Sequence, residues 1–230
     1  MTGELVSTLD VDKAVNAQYI EALIYLHKAH IKVDGRLISA LSVDKTLDSH
    51  YLEALKDLRH SKINVDDSLV NCLSSEKASD PQYISALKVL HKSKIRVDGD
   101  LVCSLSRENA SDPHYLEILI ILNKTHIPVD GSLIHFLTPE KARDAKYVDL
   151  IIELKKEGFT VDGDFINSLT FEKAYDENEE KDVEKYINKL RYLRGLGIPI
   201  NSKVLDIISI EKSRDPDYIK AYIRAAADLH

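Results

Sequence analysis

The sequence predicts an all-α fold, a right-handed α-solenoid of stacked helical hairpins in which each hairpin carries an extra, capped short helical turn. Three observations lead there. Tyr19, Tyr51, Tyr83, Tyr115 and Tyr147 recur every 32 residues, Tyr186 follows after 39, and Tyr218 comes 32 residues later. A period of this size marks stacked supersecondary elements, each of which buries its apolar face on its neighbours. Within the period the apolar residues fall at helical spacing, and no sustained alternation of apolar and polar residues leaves room for strands. A hydrophobic content of 44% is ample for one continuous core. The expected organisation is a single repeat array over 1–230: a half-repeat 1–18, repeats 19–50, 51–82, 83–114, 115–146, 147–185 and 186–217, and a half-repeat 218–230.

The repeat Tyr83 to His114 shows each element in order. Asp80-Pro81 just upstream supplies an N-cap and a first-turn proline, a pair found again at Asp112-Pro113 and Asp215-Pro216. A first helix starts there, because Tyr83, Ile84, Leu87 and Leu90 follow the spacing of an amphipathic stripe. It runs for about twelve to fourteen residues. Positive charge marks its end, with His91, Lys92 and Lys94 near the C-terminal carbonyls. The chain turns through apolar Ile95 and Val97, and Asp98 then caps a second, shorter helix containing Leu101, Val102 and Leu105. Ser106 opens the last element, and its column reads Ser42, Ser74, Ser106, Thr138, Thr170 and Ser209. A hydroxyl residue followed by one variable residue, an acid and usually Lys predicts one more capped helical turn.

Two features depart from the regular pattern. The long step between Tyr147 and Tyr186 contains the insertion Glu177–Val183, read as a lengthened acidic start to the helix that leads to Tyr186. Both ends fall inside a repeat, so the half-repeats are expected either as caps or as the edges of a fragment of a longer protein, the ordinary apolar pattern of Leu5, Val6 and Leu9 favouring the second.

The stretch Tyr147 to Leu169, YVDLIIELKKEGFTVDGDFINSL, resembles the helix-to-helix passage of pentatricopeptide repeats and the latter part of an ankyrin repeat. The chain as a whole resembles these and the tetratricopeptide arrays in architecture. The ankyrin T-P-L-H signature and the tetratricopeptide Trp and Gly-Tyr patterns are absent, so the resemblance implies a helix-hairpin stack and transfers no functional residue. Pentatricopeptide proteins bind RNA through a basic surface, which the acidic balance of this chain does not match.

Composition narrows the function. A net charge of −7 and a pI near 5.7 oppose non-specific binding to nucleic acid or anionic lipid. No apolar run approaches the ~18 residues of a membrane span, and no basic-then-apolar leader opens the chain. Cys72 and Cys103 lie one column out of step in successive repeats and form no C-x-x-C, so both are expected as reduced, packed thiols in a cytoplasmic or otherwise intracellular protein. His27 and His30 stand three apart, but no third ligand accompanies them, and neither a metal nor a cofactor is expected. Phosphate-cradling glycine loops, nucleophile elbows and H-E-x-x-H are all missing, and the expectation is no enzyme.

The candidate recognition residues form two groups. The second-helix column Ser39, Asn71, Cys103, His135, Asn167 and Asp206 varies on a uniform scaffold, and in its neighbouring column Phe136 and Ile207 become apolar. The ends of the first helices carry cations, among them Lys92, Lys94, Arg96 and Lys124, that would line up as a basic edge. Excess apolar residues on the first helices, Ile24, Tyr25, Val89, Ile120, Ile121, Ile152 and Tyr192, read as packing between repeats or as a groove for a partner helix. The tyrosine rings are expected to pack between repeats with their hydroxyls on polar groups. The expected function is a non-enzymatic scaffold for a protein or peptide. Modular binding of single-stranded nucleic acid, or service as the spacer or targeting segment of a larger enzyme, are the alternatives.

Overall fold

A computed structural model describes residues 10–174 and 180–227. Leu5, Val6, Leu9 and the first part of the insertion, Glu177 to Glu179, lie outside the described residues. The described chain is all helical, 73% helix, with twenty helices that pack consecutively and no strand. It divides into two compact units, Met1–Ile120 and Ile121–His230.

In the N-terminal unit the helices come in threes. A leading turn α1 (Val11–Val15) is followed by α2 (Ala17–Lys28), α3 (Gly35–Ala40) and α4 (Val43–Leu47), then by α5 (Ser49–His60), α6 (Asp67–Cys72) and α7 (Ser75–Ala78), then by α8 (Pro81–Lys92), α9 (Gly99–Ser104) and α10 (Arg107–Ser111). Helix α11 (Pro113–Lys124) runs into the C-terminal unit, which continues with α12 (Gly131–Phe136), α13 (Pro139–Arg143), α14 (Ala145–Lys156), α15 (Gly163–Ser168), α16 (Phe171–Ala174), α17 (Glu180–Gly195), α18 (Ser202–Ile207), α19 (Ile210–Arg214) and α20 (Pro216–Ala227). First helices pack on first helices, as α2 on α5 and α5 on α8, and second helices on second helices, as α3 on α6, α6 on α9, α12 on α15 and α15 on α18.

The caps fall where the sequence puts them. Asp48, Asp80 and Asp144 accept from the backbone N–H groups that open first helices. Asp34, Asp66, Asp98, Asp130 and Asp162 do the same for second helices, with Asn201 in the last. Ser42, Ser74, Ser106, Thr138, Thr170 and Ser209 cap the short turns. Each cap satisfies donors that the first turn of a helix leaves over, which is why elements of four to six residues persist between longer ones. First helices are 12 residues long except α17, which has 16 and so carries the lengthening expected of the insertion.

Six of the first helices, α2 to α17, end the same way. Ile31, Ile63, Ile95, Ile127, Phe159 and Ile198 donate their N–H groups back to Leu26, Leu58, Leu90, Leu122, Leu154 and Leu193. This closure needs a left-handed residue just before the donor. Gly158 and Gly197 fill that position in the C-terminal unit, whereas His30, Lys62, Lys94 and His126 adopt positive φ with a full side chain.

Tyr19, Tyr51, Tyr83, Tyr115, Tyr147 and Tyr186 are fully or almost fully buried. Their hydroxyls donate to carbonyls at the ends of second helices: Tyr19 to Ile38 and Leu41, Tyr51 to Val70, Tyr83 to Val102 and Leu105, Tyr147 to Ile166 and Leu169, and Tyr186 to Ile208, all at 2.9–3.3 Å. Tyr115 keeps its hydroxyl with the side chain of Asn109. Burial pushes these phenols up, Tyr19 to about 12, because the ionised form would lose its water, and Asp10, Asp48 and Asp206 add to the rise at Tyr19, Tyr51 and Tyr186.

A lysine from the preceding capped turn reaches the same place. Lys13, Lys45, Lys77 and Lys141 place Nζ 2.6–2.8 Å from the carbonyls of Ile38, Val70, Val102 and Ile166, and Lys173 reaches Leu205 at 2.9 Å. The first four ammonium groups also lie 5.2–5.6 Å from the ring centres of Tyr19, Tyr51, Tyr83 and Tyr147. Each therefore caps a helix C-terminus and sits over an aromatic face at once. Burial holds Lys45, Lys77, Lys141 and Lys173 below the usual lysine range.

Candidate recognition surfaces

The second-helix column is exposed throughout: Ser39, Asn71, Cys103, His135, Asn167 and Asp206 all face solvent. Ser39 turns its hydroxyl back onto the carbonyl of Gly35 at 2.9 Å. Phe136 is half-buried, edge-on to His135 with ring centres 4.8 Å apart, and Ile207 is 44% exposed.

Cys103 corrects the sequence expectation. It is joined to Cys72 by a disulfide, with Cα atoms 4.8 Å apart and a sequence separation of 31. The physical reason lies in the stacking of second helices. A Cβ on Gly99 would stand 2.0 Å from the hydroxyl of Ser68 and 2.6 Å from its backbone, and one on Gly163 would meet Ser132 at 2.2 and 2.5 Å. Both pairs are 31 residues apart, so neighbouring second helices meet one residue short of the repeat. The one-column offset between the cysteines is thus the pairing register, and the glycine lets the backbones approach closely enough for the bond. The expectation of an intracellular protein rested in part on reduced thiols, and that part falls with them.

The cations divide between the units. Lys92, Lys94 and Arg96 lie at the end of α8 in the N-terminal unit, and Lys124 lies at the end of α11 in the other; all four side chains are exposed. Arg96 pairs with Asp98 at 3.1 Å and Lys32 with Asp34 at 3.0 Å, in each case a carboxylate already used as a cap. Such exposed pairs are worth about 0–1 kcal/mol. Arg59 reaches back to the preceding helix end instead, donating from Nε to the carbonyl of His30 at 2.8 Å, as Arg194 does to Gly158 at 3.1 Å.

Polar pairs link neighbouring first helices. Tyr25 donates to the carboxylate of Glu53, with Lys56 over its ring at 5.4 Å. Asp57 pairs with Lys88 at 2.7 Å, and Glu157 with Arg191 at 2.9 Å. Tyr25, Ile120, Ile121 and Ile152 are half-buried, while Ile24, Val89 and Tyr192 remain 50%, 39% and 53% exposed. Shallow grooves run beside the first helices, and Tyr25 and Tyr192 of the apolar excess line two of them. In the N-terminal unit one of about 440 Å³ is lined by Glu21, Tyr25, Leu47 and Glu53, and one of about 380 Å³ by His50, Asp57, Pro81, Ile84 and Lys88. In the C-terminal unit one of about 600 Å³ is lined by Lys185, Asn188, Lys189, Tyr192 and Arg214.

Among the described residues no three His, Cys, Asp or Glu side chains gather to hold a metal, and no helix is long and apolar enough to cross a membrane. Compared with protein-family models, with curated proteins and with solved structures, the chain matches none.

Proposed function

We propose that the chain is a non-enzymatic scaffold, a right-handed α-solenoid running as one array over 1–230, that docks a protein partner along the grooves between successive first helices. The observation that carries this reading is the contrast between a repeated frame and changing groove walls. Tyrosine, lysine and cap positions repeat, while the walls pass from Tyr25 and Glu53 to Asp57 and Lys88 and then to Lys189 and Tyr192. A uniform frame with variable concave walls is how a binding surface acquires specificity without a reaction centre. The setting we propose is intracellular, where dithiol reductants meet an exposed disulfide.

Photocrosslinking from Ser49 and Ser85, in the groove walls, and from Ser39 and Asn167, on the second helices, tests the reading in extract of the source cell. The expected result is a protein adduct from the groove positions that Leu47→Glu abolishes. Adducts only from the second helices would move the interface, and none from any position would reject it.

A second reading, binding of single-stranded nucleic acid, draws on the variable second-helix column and on the exposed cations Lys92, Lys94, Arg96 and Lys124. Retention on homopolymers at low salt, lost steeply as salt rises, would favour it; no retention at low salt removes it.

A further inference from the structure

We infer that the Cys72–Cys103 disulfide is a reversible redox staple that, when closed, locks the seam between α6 and α9 and, when opened by a dithiol reductant, loosens that seam while the rest of the N-terminal unit stays folded. Access comes first. Cys103 is exposed and Cys72 half-buried, so a thiolate from solvent can reach the bond at the Cys103 sulfur.

Redundancy comes second. The seam is already closed by the approach of Gly99 to the backbone of Ser68 and by buried Leu69, Val70, Leu101 and Val102. The carbonyls of Val70 and Val102 hold Lys45 with Tyr51 and Lys77 with Tyr83. The same register places Ala40 opposite Asn71 and Phe136 opposite Asn167, and those seams form without a covalent link. Opening the bond therefore removes local rigidity and leaves the fold its other contacts. It also changes what the surface presents, since the two cysteines occupy the columns where other repeats carry their variable side chains.

The chemistry balances with a dithiol as the named reductant. Its thiolate attacks Sγ of Cys103, the S–S bond breaks, and Cys72 leaves as a thiolate that takes up a proton. The second thiol of the reductant attacks the mixed disulfide, frees Cys103 and closes the reductant into its own disulfide. The protein gains two electrons and two protons, and the reductant loses them. Because the frame keeps the two Cα atoms near 4.8 Å, an oxidised dithiol or glutathione disulfide can close the staple again.

The test uses the full chain purified without reductant and treated with dithiothreitol in native buffer. Iodoacetamide labelling should then add two groups per chain within minutes, with far-UV circular dichroism retained. Amide exchange in 67–72 and 99–104 should rise about tenfold or more, while 145–156 and 163–168 keep their rates. The melting temperature should fall by roughly 6–14 °C, as expected for a closed loop of this size in a chain of this length. The Cys72→Ser/Cys103→Ser chain should reproduce the reduced state and ignore dithiothreitol. With glutathione disulfide, Cys72→Ser should form its mixed disulfide faster than Cys103→Ser. Reduction that requires denaturant, or that collapses the helical signal, would make the bond purely structural and overturn the proposal. Two free thiols that persist after oxidation would do the same.

Discussion

The N-terminal and C-terminal units use the same repeat and finish its joints with different chemistry. Where a first helix turns back, the N-terminal unit forces His30, Lys62 and Lys94 into the left-handed region, and the C-terminal unit uses Gly158 and Gly197 after His126. Where second helices meet, one has a disulfide and the other sets Phe136 opposite Asn167. Where first helices meet, one pairs Tyr25 with Glu53 and Lys56, and Asp57 with Lys88; the other pairs Glu157 with Arg191. The tyrosine, its carbonyl and the capping lysine are common to both. Frame and joints thus carry separate information, the first specifying the helix stack and the second specifying which surface it shows.

If the frame is shared, disrupting it should affect both units alike, and the largest effect comes from titrating all the buried phenols together. Their pKa is raised in the folded chain, so the stabilisation is complete below 10 and is lost as pH rises, through about 12 for Tyr19. The half-buried lysines, held low, oppose this with smaller shifts. Melting temperature should stay level up to about pH 10 and then drop in both units. Phenolate absorbance should show these tyrosines ionising only as the helical signal is lost. Ionisation while the helices persist would show the rings to be accessible.

Next in size, Tyr83→Ala and Tyr147→Ala should each cost about 3–5 kcal/mol in denaturant unfolding, and by similar amounts. A large difference between them would show that the frame is not equivalent in the two units. Gly99→Ala and Gly163→Ala come third, at about 1–3 kcal/mol, because the added methyl meets backbone rather than a flexible side-chain end. Gly99→Ala should cost more in the oxidised chain than in the reduced one, whereas Gly163→Ala should be indifferent to reductant. The smallest effect has the opposite sign. Lys62→Gly or Lys94→Gly should stabilise by roughly 0.5–1 kcal/mol, and Gly158→Ala should destabilise. If the lysine-to-glycine changes also weaken partner binding, the cations are retained for recognition.

Local pattern made the frame legible. The tyrosine period, the Asp-Pro starts, the aspartate caps and the Ser/Thr turns are each set within a few residues, and each was found in place. The lysine after the turn was visible as a column, but its destination was not, since Val70 or Ile166 is fixed by how one repeat lies on the next. The disulfide was misread for a related reason: a repeat of 32 suggests partners 32 apart, while the second helices meet at 31. Lysine and histidine in the left-handed region carry no sequence signal, because that position advertises itself only when glycine fills it. The candidate second-helix residues are exposed, and Cys103 among them belongs to a seam.

The lysine clamp also gives the packing within each unit a direction. Lys45 finds its carbonyl on Val70, 25 residues later, as Lys13 does on Ile38, Lys77 on Val102 and Lys141 on Ile166. During synthesis the amine leaves the ribosome before the helix end it will cap. Each segment that carries this lysine therefore presents a waiting donor, which the next second helix satisfies.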